Sequence, residues 1–499
     1  MKSLARDVSW QIIGKILSAG AGFVVLLLLT IYLDPLRYGD YGTILAYFAF
    51  ISSLSDFGLY SWGVKECAQY PPGSHEEQVL YSKIFWARMM LIGCIYVVAI
   101  LIVYCIPDYR HNIFLARGMP IGMLFSAIFM ASGVMTLPLQ LRTHMHHASI
   151  ALMLARLGQI GILVSVIFFL LPRSSTYPLL SFILVMSSIL GSAIIQFAYT
   201  WRFARKDIAP LWMPSVDFLV TVLKEQRRYG LGFFLGSAST MVVSVFFSLL
   251  YPTREGNVEI SMWTFALQLY AIVLIIPPAV GNSLLSAKHD MDHDATTRFA
   301  KGIMVLVICA LTLWWGFILG GRPVMNLIGA TSYITDPILW ENPLLWRGAN
   351  IGSDAILIML GCALVAHFFK IGQQYRLLAI NKQESILRIN GRSFVIGCIV
   401  SYRGIYTRGL WGGIIGQFCF DASACLLGRW KHRSTKIFNQ TQIVLITTLI
   451  GGTILLMIMG LMHTTSIRRM LCIIRSVCVG IGGWWWRQKH INHQSHEKQ

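Results

Sequence analysis

Apolar runs, each long enough to cross a bilayer, follow one another along the whole chain, and little else fits around them. They lie near 8–33, 40–64, 85–106, 113–138, 148–172, 178–201, 230–252, 260–284, 301–321, 354–375, 386–402, 409–427, 442–462 and 470–486. A helical span takes about 20 residues, so fourteen of them use more than half of the 499 residues and leave only short connections. With 56% hydrophobic and 13% charged residues, the chain carries about half the charge of a soluble domain. The expectation is an all-α membrane protein of about 14 transmembrane helices. The first run, from about Val8 to Leu33, is too long for the apolar part of a cleavable signal and reads as the first span. The run 386–402 contains Arg388, Asn390 and Arg392; it is the least suited to a straight span, and a tilted, broken or re-entrant segment is its alternative.

The chain has 41 basic and 22 acidic residues, a formal net charge of +19. In a soluble chain that surplus would point to nucleic acid. In a membrane chain it reports topology, because cytoplasmic loops retain Lys and Arg. With the N-terminus inside, more than twice as many basic residues fall on the cytoplasmic side as outside, and both termini are cytoplasmic. The connection after Trp201 is the most basic, with Arg202, Arg205, Lys206, Lys224, Arg227 and Arg228. It divides the chain into an N-terminal lobe of six spans (1–201), a basic cytoplasmic linker (202–229), a C-terminal lobe of spans 7–12 (230–428), and two extra spans with a cytoplasmic tail (429–499). A shift of 236 residues aligns Ser149–Ser165 with Ser385–Ser401 without a gap, with seven of 17 positions identical, among them Arg156 and Arg392. Spans 5 and 11 are therefore read as equivalent helices of an internal repeat.

Ionisable residues inside spans are the informative signal, since a charge at a span's centre costs roughly 2.5–3.5 kcal/mol on insertion scales and usually faces a bundle interior or a watery cavity. Lys15, Asp56, Arg88, Arg156 and Arg392 are the candidates. Gly14, Ser18 and Gly22 make a small-residue face on the first span for close helix packing. Ser52, Asp56, Tyr60 and Gly63 form a polar stripe along one side of the second, which suits a cavity wall. These charges can pair among themselves, Lys15 with Asp56 for example, yet four bases and one acid leave a positive excess. An anionic ligand supplies the missing counter-charge. Phosphate-loop, HExxH and GxSxG signatures are absent from the sequence. The histidines at 144, 146 and 147, at 289 and 293, and at 490, 493 and 496 fall in loops or the tail. No metal and no cofactor is expected.

The order of several short motifs resembles the polysaccharide-transporter branch, the Wzx-type O-antigen flippases, of the multidrug/oligosaccharidyl-lipid/polysaccharide exporter superfamily. The carrying residues are Gly14-Lys15, Tyr32-Leu33-Asp34-Pro35, Tyr38-Gly39-Asp40-Tyr41-Gly42, Ser55-Asp56-Phe57-Gly58-Leu59 and Val64-Lys65-Glu66, then Phe233–Met241, Ile275-Ile276-Pro277 and Leu377–Gln383. The likeness covers roughly residues 1–385. After about Ser393 it thins, and Arg403, Arg408 and Asp421 depart from the pattern. The resemblance implies two six-helix lobes around a central cavity plus two C-terminal helices, alternating access, and a polyprenyl-diphosphate-linked oligosaccharide as substrate. It also implies Lys15, Asp56, Lys65 and Glu66 as charged functional positions.

The expected protein is therefore a transporter, not an enzyme: a flippase of the bacterial inner membrane serving O-antigen, lipopolysaccharide or capsule assembly. Lys15, Arg88, Arg156 and Arg392 would bind the diphosphate and acidic sugars, and Asp56, Lys65 and Glu66 would serve coupling or line the cavity. Its expected partners are the lipid-linked oligosaccharide, membrane lipids, a proton or sodium ion and polysaccharide-assembly proteins, without nucleic acid. Two alternatives share the hydropathy: a polysaccharide polymerase or ligase, and a drug/cation antiporter of the same superfamily.

Overall fold

In a computed structural model of the protein, the described residues are 2–56, 59, 63, 66–67, 69–71, 73–142, 144–170, 176–207, 216–250, 254–274, 276–277, 280, 295–327, 330–335, 351–379 and 382–431. Twelve long helices run through them: α1 (Lys2–Tyr32), α2 (Pro35–Asp56), α3 (His75–Cys105), α4 (Ile113–Leu141), α5 (Met145–Ser165), α6 (Pro178–Ala204), α7 (Val216–Leu250), α8 (Arg254–Val273), α9 (Ala295–Leu327), α10 (Ser353–Ala379), α11 (Gln383–Arg408) and α12 (Leu410–Lys431). Each coincides with one of the first twelve expected spans. The last two, 442–462 and 470–486, lie outside the described residues.

Eight of the twelve are long and apolar enough to cross a membrane, and their backbone polar groups are satisfied within the helix, as lipid demands. The chain is a multi-pass membrane protein. The remaining four are α1, α2, α8 and α11, and two of them, α2 and α8, help carry the junction between the lobes described below.

Helix packing repeats six helices on. In the first half α1 packs on α5, α5 on α6, α6 on α4, and α4 on both α2 and α3. In the second half α7 packs on α11, α11 on α12, α12 on α10, and α10 on both α8 and α9. Under this pattern α5 matches α11, the pair aligned by the 236-residue shift. The two sets of six meet chiefly where α2 lies against α7 and α8.

Small residues allow the closest approaches. A Cβ on Gly14 would lie 2.6 Å from the Ser149 Cβ, which seats α1 on α5. Between α11 and α12 the backbones touch: a Cβ on Gly412 would lie 1.8 Å from the Gly404 carbonyl carbon, and one on Gly416 would lie 2.0 Å from the Ser401 hydroxyl. Such small-residue seams let helices pack where lipid gives no hydrophobic drive. The turn between these helices is made at Gly409, whose φ of 54° is open to glycine at little cost.

One alternative falls and one expectation changes. The run 386–402 is part of one continuous helix, because its polar residue is satisfied by neighbours: Asn390 Nδ2 donates to the Gly232 carbonyl at 2.8 Å, and Gln374 Nε2 donates to Asn390 Oδ1 at 2.9 Å. The connection 202–229 is not linker throughout, because α7 begins at Val216. That early start has a packing reason. Phe218 joins Leu59, Cys67, Tyr81 and Ile84 in an apolar cluster of the first half, and the Lys83 ammonium lies 5.7 Å above its ring.

Candidate functional site: the junction of the two lobes

α2 is the hub of the molecule, since one face enters its own lobe and another meets the partner lobe. Tyr41 and Ser52 are three turns apart and share the inward face. Ser52 Oγ is 2.8 Å from Tyr96 Oη of α3 and 2.5 Å from Ser126 Oγ of α4, and Tyr96 and Ser126 also hydrogen-bond. The next residue around the helix, Ser53, instead reaches Ser237 Oγ of α7 at 2.6 Å. Phe50 and Phe234 meet beside it with ring centroids 5.7 Å apart. Midway along α2, Gly42 faces α8, where a Cβ would lie 2.3 Å from Thr264 Oγ1. Toward the start of α2, the short helix Pro107–His111 brings Tyr109 to donate to Ser248 Oγ of α7 at 2.5 Å.

The expected site residues distribute around this hub. Arg156, half-buried on α5, donates from Nη1 to Gln159 Oε1 at 2.9 Å. Its guanidinium is within electrostatic reach of Tyr41. Among the described residues no carboxylate pairs with it, so its charge is met by a neutral amide. Arg88 is buried on α3 within electrostatic reach of Tyr96, along the inward face of α2 that Tyr41 and Ser52 define. Arg392 is exposed on α11 and is not brought to Arg88 or Arg156 by any described contact. Glu66 is half-buried between α2 and α3 and accepts from Gln69 Nε2 at 3.1 Å. The side chains of Lys15 and Asp56, and all of Lys65, lie outside the described residues.

A second polar centre occupies the other lobe, and of its residues only Asp421 stands out in the sequence. Asp421 of α12 is fully buried; its Oδ1 accepts from Lys370 Nζ at 2.5 Å and lies 3.1 Å from His367 Nδ1, both on α10. Gln417 Nε2 donates to Asp421 Oδ2 at 3.1 Å and reaches Thr240 Oγ1 of α7 at 3.4 Å. Tyr270 of α8 is within electrostatic reach of the same carboxylate. Lys370 and Asp421 each sit inside an apolar run, the same signal that marked Arg156, but Asp421 had stood out only as a departure from the family pattern. The two lobes thus differ in charge. One holds Arg156 with a neutral partner, the other holds the Lys370 ammonium neutralised by Asp421.

Two sets of six helices, closed on each other along α2, α7 and α8 and each enclosing a polar centre, define a two-lobed, all-helical membrane fold. The chain belongs to the polysaccharide biosynthesis protein family, whose model matches residues 4–285. No curated protein sequence matches it. Among solved structures, the inward closed conformation of the lipid II flippase MurJ is similar over 94% of this chain and 95% of its own, with a TM-score of 0.63 at 12% identity. An inward-facing multidrug resistance transporter of the MATE family, in the MOP superfamily, is similar over 84% of this chain and 95% of its own, with a TM-score of 0.59 at 14% identity. A MATE transporter in complex with MaL6 is similar with a TM-score of 0.56 at 14% identity, over 86% of this chain and 96% of its own. At these identities the likeness is one of fold.

Proposed function

We propose that the protein flips a polyprenyl-diphosphate-linked oligosaccharide, an O-antigen or capsule repeat unit, from the inner to the outer leaflet of the bacterial inner membrane by alternating access. The observation that carries this reading is Arg156, a half-buried guanidinium inside a lobe with no described carboxylate partner. Such a group is suited to a diphosphate, which it can hold with two parallel hydrogen bonds. Lys15, Arg88 and Arg392 add positive charge for the diphosphate and acidic sugars. Asp56, Lys65 and Glu66 serve coupling to a proton or sodium ion or line the cavity. Both termini are cytoplasmic in this reading, and the spans divide as 1–201, 202–229, 230–428 and 429–499 apart from the early start of α7.

Among the described residues α1 and α8 meet only briefly, whereas α2 and α7 meet extensively. A polyprenyl tail can therefore stay in lipid on the α1/α8 flank while the polar head passes between the lobes. An inside-negative potential favours outward movement of an anion by about 2.3 kcal/mol per charge per 100 mV.

The test is Arg156→Ala in a strain lacking the native copy. At unchanged protein level, surface polysaccharide falls and the lipid-linked unit accumulates in the inner leaflet. Accumulation of unpolymerised units outside would favour the polymerase or ligase reading. The MATE-like fold keeps the antiporter reading in view, and drug resistance without a glycan phenotype would favour that one.

A further inference from the structure

Where α2 and α10 begin, the junction is closed by three aromatic rings, and among the described residues the hydroxyls of two of them have no partner. Tyr38 comes from α2, Phe265 from α8, and Tyr333 from a single 3-10 turn, Thr331–Tyr333, between α9 and α10. Tyr38 and Tyr333 meet edge to face with ring centroids 5.6 Å apart, Tyr333 stacks on Phe265 at 5.0 Å, and Tyr41 lies 5.6 Å from Tyr38. The rings of Tyr38, Phe265 and Tyr333 are 0% exposed, yet among the described residues the hydroxyls of both tyrosines lack any hydrogen bond. Buried tyrosine hydroxyls normally find a partner, so two orphans in one contact call for an explanation.

The turn that presents Tyr333 is rigidly built. Asp354 Oδ1 accepts from the Thr335 amide at 2.9 Å and the Thr335 hydroxyl at 2.6 Å, and the Gly352 amide donates to Thr335 Oγ1 at 2.9 Å. A Cβ on Gly352 would lie 2.2 Å from the Thr335 nitrogen, so the approach is possible only for glycine. Ser353 Oγ donates to the Met262 carbonyl at 2.8 Å and ties this end of α10 to α8. Tyr333 and Phe265 therefore belong to one rigid lobe and Tyr38 to the other.

We propose that Tyr38, Tyr333 and Phe265 form a saccharide platform, with the rings covering one another while the lobes are together and receiving the sugar rings of the passing head group when the lobes part. The inference rests on the flippase reading for its substrate. Parting the lobes splits the Tyr38–Tyr333 contact and leaves each side with a flat apolar face bearing one hydroxyl. A pyranose offers the complement, a C–H face rimmed by hydroxyls, and the ring quadrupole attracts such positively polarised edges. The hydroxyls that are orphaned in the closed state acquire partners only in the open one, so closure is not locked. Tyr41 continues the path to Arg156, which puts the sugar platform beside the proposed diphosphate ligand, as the connectivity of the substrate requires.

The test uses Tyr38→Phe and Tyr333→Phe, which keep the rings and remove hydroxyls that make no bond in the closed fold, so membrane levels hold and the melting temperature stays at or rises above wild type. In the strain lacking the native copy, each variant should lower the rate of surface polysaccharide output by roughly two- to tenfold, the worth of one hydrogen bond. In a second arm, full-length protein in nanodiscs is probed by saturation-transfer NMR with the repeat-unit oligosaccharide released by mild acid from the host's surface polysaccharide. Transfer to the sugar ring protons should fall in the double variant. If Arg156→Ala abolishes output while both phenylalanine variants match wild type in both arms, the platform is overturned and the flippase reading stands. If Arg156→Ala also leaves output intact, the flippase reading fails, and sugar transfer that is absent or indifferent to the two hydroxyls overturns the platform as well.

Discussion

Asparagine at position 421 removes the carboxylate that Lys370 and His367 share in the interior of the C-terminal lobe. Lys370 is 4% exposed and Asp421 0%, so the ammonium left behind has neither water nor a described acid. Breaking a buried ion pair from one side costs about 3–5 kcal/mol, because an uncompensated charge stays in a poorly solvating interior. The opposite single change, Lys370→Met, is milder. Asp421 keeps its contact with His367 Nδ1 at 3.1 Å and Gln417 Nε2 at 3.1 Å, and the loss is about 1.5–3 kcal/mol, the worth of one hydrogen bond to a charged group. The double variant Lys370→Met/Asp421→Asn buries no unpaired charge from this couple and should recover about 2 kcal/mol or more of the summed losses. The assay is a double-mutant cycle on the full-length protein in mixed micelles, with unfolding by denaturing detergent followed for all four proteins. A double variant that loses the full sum of the two singles would refute the reasoning, since the pair would then carry no coupling energy.

The glycines at the helix crossings give two further expectations. Gly42→Ala drives a Cβ into Thr264 and should weaken the closed junction, seen as faster hydrogen exchange along α2 and α8; Thr264→Ala in the same chain removes the atoms that lie 2.3 and 2.8 Å from that Cβ and should restore most of the protection. Gly412→Ala meets backbone rather than a flexible side chain, so α11 and α12 must separate. Overpacking of this kind costs about 1–3 kcal/mol or more, and the folded protein recovered from membranes should fall well below the Gly42→Ala level.

What was legible in the sequence follows the reach of the interaction concerned. Span positions are local, and hydropathy placed the first twelve where long helices stand. Gly14 and Ser18 were read as a packing face, and Gly14 does seat α1 on α5. Partners distant in sequence were not legible. Lys370 and Asp421 were each visible as charges in apolar runs, yet nothing in a single sequence pairs residues 51 apart on helices α10 and α12. Helical phase was the other gap. The stripe starting at Ser52 reads as a cavity wall, but the fold turns Ser52 into its own lobe and sends Ser53 across the junction, because packing of α2 against α3 and α4 sets the rotation. Tyr333 lies in a connection with no periodicity to read, and its role emerges only where Asp354 fixes the turn.

The central claim is that the missing counter-charge of Arg156 is a lipid-linked diphosphate crossing outward. The most direct measurement is the leaflet in which the lipid-linked oligosaccharide accumulates when Arg156 is replaced by alanine, read in intact spheroplasts and in inverted vesicles with a membrane-impermeant lectin or glycosidase. The account predicts accumulation in the inner leaflet, accessible only in inverted vesicles. Accumulation in the outer leaflet, accessible in spheroplasts, would contradict it.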